Sequence, residues 1–366
     1  MERNKDLSAL VAMSGGVDSS VAAYLTLKAG YHCLGANMRL LQDGGEDGAG
    51  GCKRRDAEDA AGAAGQLGIP FEILDCGREF QERVVDKFIR VYEAGGTPNP
   101  CVDCNRFLKF GRLLQEAEAR GYHTVVTGHY ARVGFDEDSG RWFLKKAVDA
   151  GKDQSYFLYT LTQRQLAHVR FPLGDLEKRQ VRELAEALGL VNAGKHDSQD
   201  ICFVPDGDYA AFMERGTGRT YPSGDFLDLE GRVVGRHRGT VRYTLGQRKG
   251  LGLAMGEPVY VCGKDMEANT VTVGPEGALY AREILVEDLN WIAIEALTAP
   301  MRTAAKTRSR QREQPAQVFP EAGGRVRLVF DQPQRAVTPG QAAVFYDGDA
   351  VTGGGTIAEV LRETET

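Results

Sequence analysis

The first residues in this sequence that could do chemistry are Ala12-Met13-Ser14-Gly15-Gly16-Val17-Asp18-Ser19-Ser20, which follow a strand-like run and open a helix-like one. A polyphosphate placed there meets free backbone N–H groups, the positive end of a helix dipole, glycines that permit close approach, and the hydroxyls of Ser14, Ser19 and Ser20. The lysine of a kinase-type phosphate loop is absent, so the loop can hold phosphates without the group that serves γ-phosphoryl transfer. Asp18 is the carboxylate placed to serve Mg²⁺ on those phosphates. The plain alternative is a tight Gly-Gly turn between strand and helix that serves packing alone.

The second group is sulfur. Gly95-Gly96-Thr97-Pro98-Asn99-Pro100-Cys101-Val102-Asp103-Cys104-Asn105 sets a C-x-x-C pair just before a helical pattern. The prolines predict an open, extended loop, and the helix N-terminus beyond it predicts a stabilised thiolate at Cys104. Half a zinc site and buried packing cysteines are the alternatives; zinc lacks a second C-x-x-C or C-x-x-H pair to complete four ligands. Cys202 lies in His196-Asp197-Ser198-Gln199-Asp200-Ile201-Cys202-Phe203, where a polar stretch turns apolar, and taken alone it reads as packing. Cys33, Cys76 and Cys262 sit in apolar runs and read as core. An odd total of seven cysteines in a long chain favours thiol chemistry over a disulfide framework.

These groups need elements to hold them. At 366 residues, 42% hydrophobic and 26% charged, the chain is a folded one of two or three domains. Strand-like runs at 7–13, 31–38, 71–74 and 124–127 alternate with helical patterns at 19–29, 53–67, 80–92 and 107–120, which predicts a doubly wound parallel sheet, an α/β fold. Two alternating runs around Asp136 to Gly140 predict a hairpin, and helical patterns return at 156–169 and 177–188. Beyond about Pro205 short β-like runs take over (233–234, 259–262, 270–273, 325–330, 342–346), which suggests small barrels or sandwiches. The expected division is 1–208, 209–280 and 281–366. No window approaches the roughly 20 apolar residues of a membrane span, and the charged 1–7 leads straight into a strand, so the expectation is a cytoplasmic protein.

Together, SGGVDSS, TPNPCVDCN, Thr127-Gly128-His129-Tyr130-Ala131-Arg132, Gly151-Lys152-Asp153-Gln154-Ser155-Tyr156-Phe157-Leu158, DSQDICF and Gly246-Gln247-Arg248-Lys249-Gly250-Leu251-Gly252 resemble the bacterial tRNA-specific 2-thiouridylases of the PP-loop ATP pyrophosphatase superfamily, in unbroken order from about Leu7 to Gly355. The resemblance implies a PP-loop domain, a small central β-rich domain and a C-terminal β-barrel that binds tRNA. It implies that ATP activates the 2-carbonyl oxygen of the wobble uridine, position 34, of tRNAs for Lys, Glu and Gln, leaving AMP and pyrophosphate. Cys202 would carry a persulfide delivered by a cysteine desulfurase or relay protein, with Cys104 as partner nucleophile. An adenylate is a good leaving group and a persulfide a good nucleophile at neutral pH, so the scheme is chemically sound. Ala12 to Ser20 with Met38 and Gly128 would face ATP; Asn99, Pro100 and Cys101 the target base; His129, Lys152, Asp153, Gln154, Arg308, Ser309 and Gln341 the tRNA. Ser309 stands where relatives carry an aromatic residue, Gln199-Asp200 where they carry a pair such as Thr-Gly, and Cys101 where some carry aspartate. Cys101 would shape the base pocket and could close on Cys104 as a reversible oxidative off-switch, or be a small polar filler.

Net charge is −6, so RNA contact must come from local patches. Arg232, Arg236, Arg238, Arg242, Arg248 and Lys249 fall within 231–250 with no acidic residue, and Arg302, Lys306, Arg308, Arg310 and Arg312 within 301–312 likewise. Such runs are commonly solvated faces; two of them in an acidic chain suggest phosphate contacts. An enzyme that modifies a base must also unstack it, which predicts a narrow pocket between the phosphate loop and the TPNPC loop. Two rivals remain: an amidating ligase that needs no thiols, and an RNA-binding protein that consumes no ATP.

Overall fold

The computed structural model describes residues 7–41, 49–195, 201–204 and 206–361. Five strands, β1 (Ser8–Ala12), β2 (His32–Arg39), β3 (Phe71–Asp75), β4 (Thr124–Val126) and β7 (Val169–Arg170), form a sheet in the order β3-β2-β1-β4-β7, every pair parallel. Because β1 is central, Ala9, Leu10 and Val11 are all fully buried, and their alternation splits the core in two. Ala9 and Val11 face α1 (Val17–Lys28), α2 (Ala49–Leu67) and α8 (Lys178–Ala187), where small residues such as Ala22, Ala60 and Ala63 let the helices lie close. Leu10 faces the opposite layer, built from Phe80, Phe88, Leu108 and Phe110. That layer contains α3 (Gly77–Phe80), which runs through a π turn at Gln81–Val85 into α4 (Asp86–Glu93). It also contains α5 (Pro100–Asp103), which runs through a π-helix at Cys104–Arg112 into α6 (Leu113–Ala119).

Chain order reverses between β1 and β4, and at such a switch point the loops leaving the two strands diverge and open a crevice at their carboxyl ends. The 13–16 loop leaves β1 there and the 127–130 turn leaves β4 there.

Two expectations change. The helix over 156–169 is a 3₁₀ turn at Ser155–Phe157 and the five-residue α7 (Gln163–Ala167), which starts where Thr162 and Gln165 form a capping box. The apolar residues before it, Tyr156, Leu158, Tyr159 and Leu161, are all buried, and Tyr156 Oη donates to the Ala342 carbonyl, so this stretch is packed by the C-terminal part of the chain. A helix does occur beyond Pro205: α9 (Tyr209–Thr217), capped by Asp208 and ended by Gly218 at φ 67°. The expected hairpin forms as β5 (Ala131–Asp136) and β6 (Arg141–Lys146), but β6 pairs with the last strand of the chain through Lys145 and Ala350.

The remaining strands make two units. β8 (Gly224–Leu227), β9 (Val233–His237), β10 (Tyr260–Asp265) and β11 (Thr270–Gly274) form a sheet in the order β10-β11-β8-β9 around Phe226 and Tyr243. β12 (Tyr280–Trp291), β13 (Met301–Lys306), β14 (Gln314–Glu321), β15 (Arg325–Arg335), β16 (Ala342–Asp347) and β17 (Ala350–Leu361) run β12-β15-β14-β13-β16-β17, and β17 pairs back onto β12 to close a barrel. Closure removes the open edges that a sheet of long strands would otherwise expose.

Candidate active site

The phosphate loop is rigidly shaped. Met13 is buried and its N–H donates to Ala36 O at 2.8 Å, while Asn37 Nδ2 donates to Met13 O at 2.7 Å. Ser14 N–H donates to Ser19 Oγ, which donates to Gly16 O at 2.9 Å. Gly15 has φ +80°, and a Cβ there would lie 2.1 Å from Asp56 O, so only glycine fits. Its carbonyl accepts from Asn192 Nδ2 at 3.0 Å and Lys195 Nζ at 3.2 Å, and Lys195 also pairs with Asp56 and Asp59. Gly16 caps α1 without a side-chain bond, which leaves the amides of the first turn to an anion.

Asp18 is not an open carboxylate. The nearly buried Lys178 donates to both of its oxygens at 2.7 and 2.8 Å, and Tyr130 Oη donates to Oδ1 at 2.9 Å. The expected service to Mg²⁺ therefore competes with a formed ion pair. Among the described residues no cluster of three or more His, Cys, Asp or Glu is arranged to hold a metal.

The turn after β4 joins this loop to the thiols. Gly128 lies against the start of α1, where a Cβ would meet Asp18 C and Ser19 N at 2.8 Å. The next residue, His129, is buried between Phe110 and Phe171 and bonds Lys109 Nζ through Nε2 at 3.4 Å and Thr127 Oγ1 through Nδ1 at 2.7 Å. Burial, and secondarily the Lys109 charge, hold the imidazole well below its usual pKa, so it is neutral. Since Lys109 can only donate, Nε2 accepts and the proton sits on Nδ1, facing Thr127.

Lys109 also faces the cysteines. The helix begins at Pro100, so Cys101 lies in its first turn and Cys104 one turn further in, contrary to the expectation that the helix end serves Cys104. Cys104 is buried and its thiol is pushed up to about 12, chiefly by burial; Lys109 pulls it down, and Cys202, Cys101 and Asp103 push it up. Cys101 is exposed, yet the surrounding protein raises its thiol too, with the same Lys109 opposing and Cys202 adding. Cys202 is exposed and acts electrostatically on both, so three thiols share one site, all of them free. The expected stabilised thiolate at Cys104 is absent here because the removal of water outweighs the nearby charge. Residues 196–200 of the DSQDICF stretch lie outside the described residues.

The other expected site residues divide. Asn99 bonds Tyr156, and Pro100 is buried at the first helical position. Gln341 Nε2 donates to the carbonyls of Thr97 and Pro98 at 3.0 Å each, so this barrel residue holds the cysteine loop. Asp153 accepts from Ala147 N, Ser155 N and Ser155 Oγ, and Gln154 braces Tyr130 through both backbone and side chain. Lys152 is half-buried on the same turn, and Met38 packs near the carboxyl end of β2. Arg308 donates to Ala336 O at 2.8 Å and reaches Leu245 O and Thr338 Oγ1, joining the barrel to the central unit, with Ser309 half-buried beside it. The cavity against the cysteine loop, about 40 Å³, is walled by Asn99, Asp103 and Arg106 on one side and Asp288, Gly340 and Thr356 of the barrel on the other. None of the phosphate-loop residues lines it, so it is a separate cavity from the pocket expected between the phosphate loop and the TPNPC loop.

Of the two basic runs, Arg232, Arg236, Arg242, Arg302 and Lys306 pair with carboxylates that come from outside those runs or from other strands. Arg238, Arg248, Lys249, Arg310 and Arg312 are exposed and, among the described residues, form no ion pair. Sequence reasoning missed Lys178, Asn192 and Lys195, which approach the phosphate loop across 160 or more residues and carry no local signal. It also missed Lys109.

Residues 7–206 match the family described as tRNA methyl transferase HUP domain, 211–275 the tRNA methyl transferase PRC-barrel domain, and 281–357 the aminomethyltransferase beta-barrel domain. The chain is 48% identical over 352 residues to the tRNA-specific 2-thiouridylase MnmA of Acetivibrio thermocellus, covering 95% of this chain and 98% of that one. It is 49% identical over 356 residues to the protein of the same name from Heliobacterium modesticaldum, covering 96% and 92%. A solved 4-thiouridine synthetase–RNA complex with bound ATP is similar over 58% of this chain and 50% of that one, at 17% identity and a TM-score of 0.35.

Proposed function

The chain belongs to the family of tRNA-specific 2-thiouridylases, and from that premise we propose that it makes 2-thiouridine at position 34 of tRNAs for Lys, Glu and Gln, splitting ATP into AMP and pyrophosphate. The observation that carries this reading is the turn after β4, where Gly128 abuts the phosphate loop and His129, the next residue, touches the lysine that faces the thiols. Adenylation and sulfur transfer thus have a common wall one residue thick. Residues 1–208 carry both steps, and 281–366, with 209–280 between, contribute tRNA contacts.

In the first step the uridine 2-oxygen attacks the α-phosphorus of ATP and pyrophosphate leaves, its charge met by the uncapped amides of α1. Mg²⁺ would neutralise that charge further, but Asp18, the carboxylate within the loop's helix start, is already paired with Lys178, so no protein ligand set is assigned to it and no step depends on it. A persulfide on Cys202, exposed and open to an upstream donor protein, then attacks C2 and AMP leaves. Cys104 attacks the Cys202 sulfur, the sulfane bond breaks, and 2-thiouridine departs from a Cys104–Cys202 disulfide that a dithiol reductant reopens. Alternatively Cys104 first frees hydrosulfide from the persulfide, and hydrosulfide attacks C2. Either route needs a Cys104 thiolate. No helix among the described residues is long and apolar enough to cross a membrane, in keeping with a cytoplasmic tRNA enzyme.

The test is to incubate the chain with ATP, Mg²⁺, a persulfide donor and tRNA, digest the RNA and weigh its nucleosides. Expected are 2-thiouridine and stoichiometric AMP, both lost when tRNA is omitted. ADP as the tRNA-dependent product, or full thiolation by Cys202→Ser with a persulfide donor, would overturn the assignment.

A further inference from the structure

Lys109 stands five residues after Cys104, a spacing that in an α-helix of 3.6 residues per turn points about 140° away. From Cys104 to Arg112, however, the chain is π-helical, and a helix that closes i→i+5 brings the fifth residue back to nearly the same face. Lys109 therefore turns back toward Cys104, and its charge acts on Cys104 and Cys101 alike. Its one hydrogen bond among the described residues is to His129 Nε2, with no carboxylate paired to it. His129 is itself held by Thr127, so the ammonium is aimed by a chain of two neutral groups that leave its charge uncancelled. A half-buried cation kept free of anions beside a buried thiol is a site prepared for negative charge on sulfur.

We propose that Lys109 is the positioning residue that gives Cys104 its nucleophilic form: its ammonium stabilises the Cys104 thiolate when sulfur is released, with Thr127 and His129 fixing where that charge points. This inference rests on the 2-thiouridylase reading for the step it serves. In that step Cys104 gives its proton to water, its sulfur bonds to the Cys202 sulfur, and the electron pair of the broken sulfane bond leaves on the transferred sulfur. The groups that face Cys104 are Lys109, which favours the thiolate, and Cys101, Cys202 and Asp103, which oppose it; Asp103 is in turn paired with Lys87. Among the described residues Lys109 is the cation set against these three.

The experiment uses the full chain and its Lys109→Met and Lys109→Arg variants. The rate of Cys104 alkylation by iodoacetamide is followed by peptide mass from pH 7 to 10, beside single-turnover formation of AMP and of 2-thiouridine. Lys109→Met is expected to lower the alkylation rate at least tenfold at every pH and to slow 2-thiouridine formation by as much, while AMP still forms; Lys109→Arg stays near the unaltered chain. If Lys109 only packs the helix, its loss loosens the site and Cys104 reacts faster, which would overturn the proposal. So would a Lys109→Arg variant as impaired as Lys109→Met, or loss of AMP formation in step with thiolation. Failure of the unaltered chain to form any 2-thiouridine would instead overturn the catalytic reading, and the alkylation series would still decide whether Lys109 charges Cys104.

Discussion

Replacing Gln341 with alanine separates two roles for one residue, contact with tRNA or support of the cysteine loop. Gln341 lies on the turn before β16, half-buried, and its amide makes two 3.0 Å bonds to the carbonyls of Thr97 and Pro98, just ahead of Cys101. Each such bond is worth about 1 kcal/mol net, and a carbonyl left unpaired away from water costs about 1–3 kcal/mol. Gln341→Ala should therefore weaken docking of the loop on the barrel by about 2–4 kcal/mol, or roughly 30-fold to several hundredfold in the docked-to-undocked ratio. Two other ties remain, Thr97 N–H to Pro339 O at 2.9 Å and the Arg106–Asp288 pair, so the chain stays folded. Single-turnover thiolation should fall about 10- to 100-fold, while the slope of tRNA affinity against salt is unchanged because a neutral side chain releases no counterion. Normal turnover with weakened tRNA binding would refute the reasoning and return Gln341 to the RNA surface.

Replacing Arg238, Arg248, Lys249, Arg310 and Arg312 together should flatten the salt dependence of tRNA binding by at most about 4 in log–log slope, whereas Arg232→Ala with Arg302→Ala, already paired with Asp228, Glu230 and Asp331, should leave it alone. Gly128→Ala should abolish tRNA-dependent AMP release, because its Cβ would press on the backbone of Asp18 and Ser19 at 2.8 Å; retained AMP release would show that the loop can yield. The Cys104 thiol stays protonated in the fold up to about 12 but ionises near 9.0 when unfolded, so its contribution is intact below pH 9 and is lost as pH rises from there toward 12. In urea titrations the stability gap between the unaltered chain and Cys104→Ala should shrink by about 1.4 kcal/mol between pH 8 and pH 10. Cys101→Asp should keep thiolation under reducing conditions, whereas Cys104→Ser should not; an inactive, folded Cys101→Asp that still binds ATP would break that division of labour.

Local structure was legible wherever one element explains its own residues. The alternation of strand and helix through β4 follows from apolar periodicity, and the turn of the 13–16 loop from Gly15, which no other residue can replace. The identity of the chemistry was legible too, because backbone amides and thiols act through their own bonds and the motifs that carry them are contiguous. Tertiary structure alone decided everything that depends on who stands across the gap. Tyr156 to Leu161 reads as helix by spacing, but Tyr156, Leu158, Tyr159 and Leu161 are buried and Tyr156 bonds the barrel strand β16, so packing overrides propensity. The basic run at 231–250 reads as a phosphate-binding patch until Asp228, Glu230, Asp225, Asp208 and Glu214 arrive to pair with Arg232, Arg236 and Arg242, half of it. Asp18 reads as a free carboxylate until Lys178 folds onto it from 160 residues away. Cys104 reads as a helix-activated thiolate, yet burial raises it, and the charge that opposes burial reaches it only because the helix widens by a residue per turn. Coulomb energy and desolvation depend on distance in space and on the water removed, and neither quantity is a function of position along the chain.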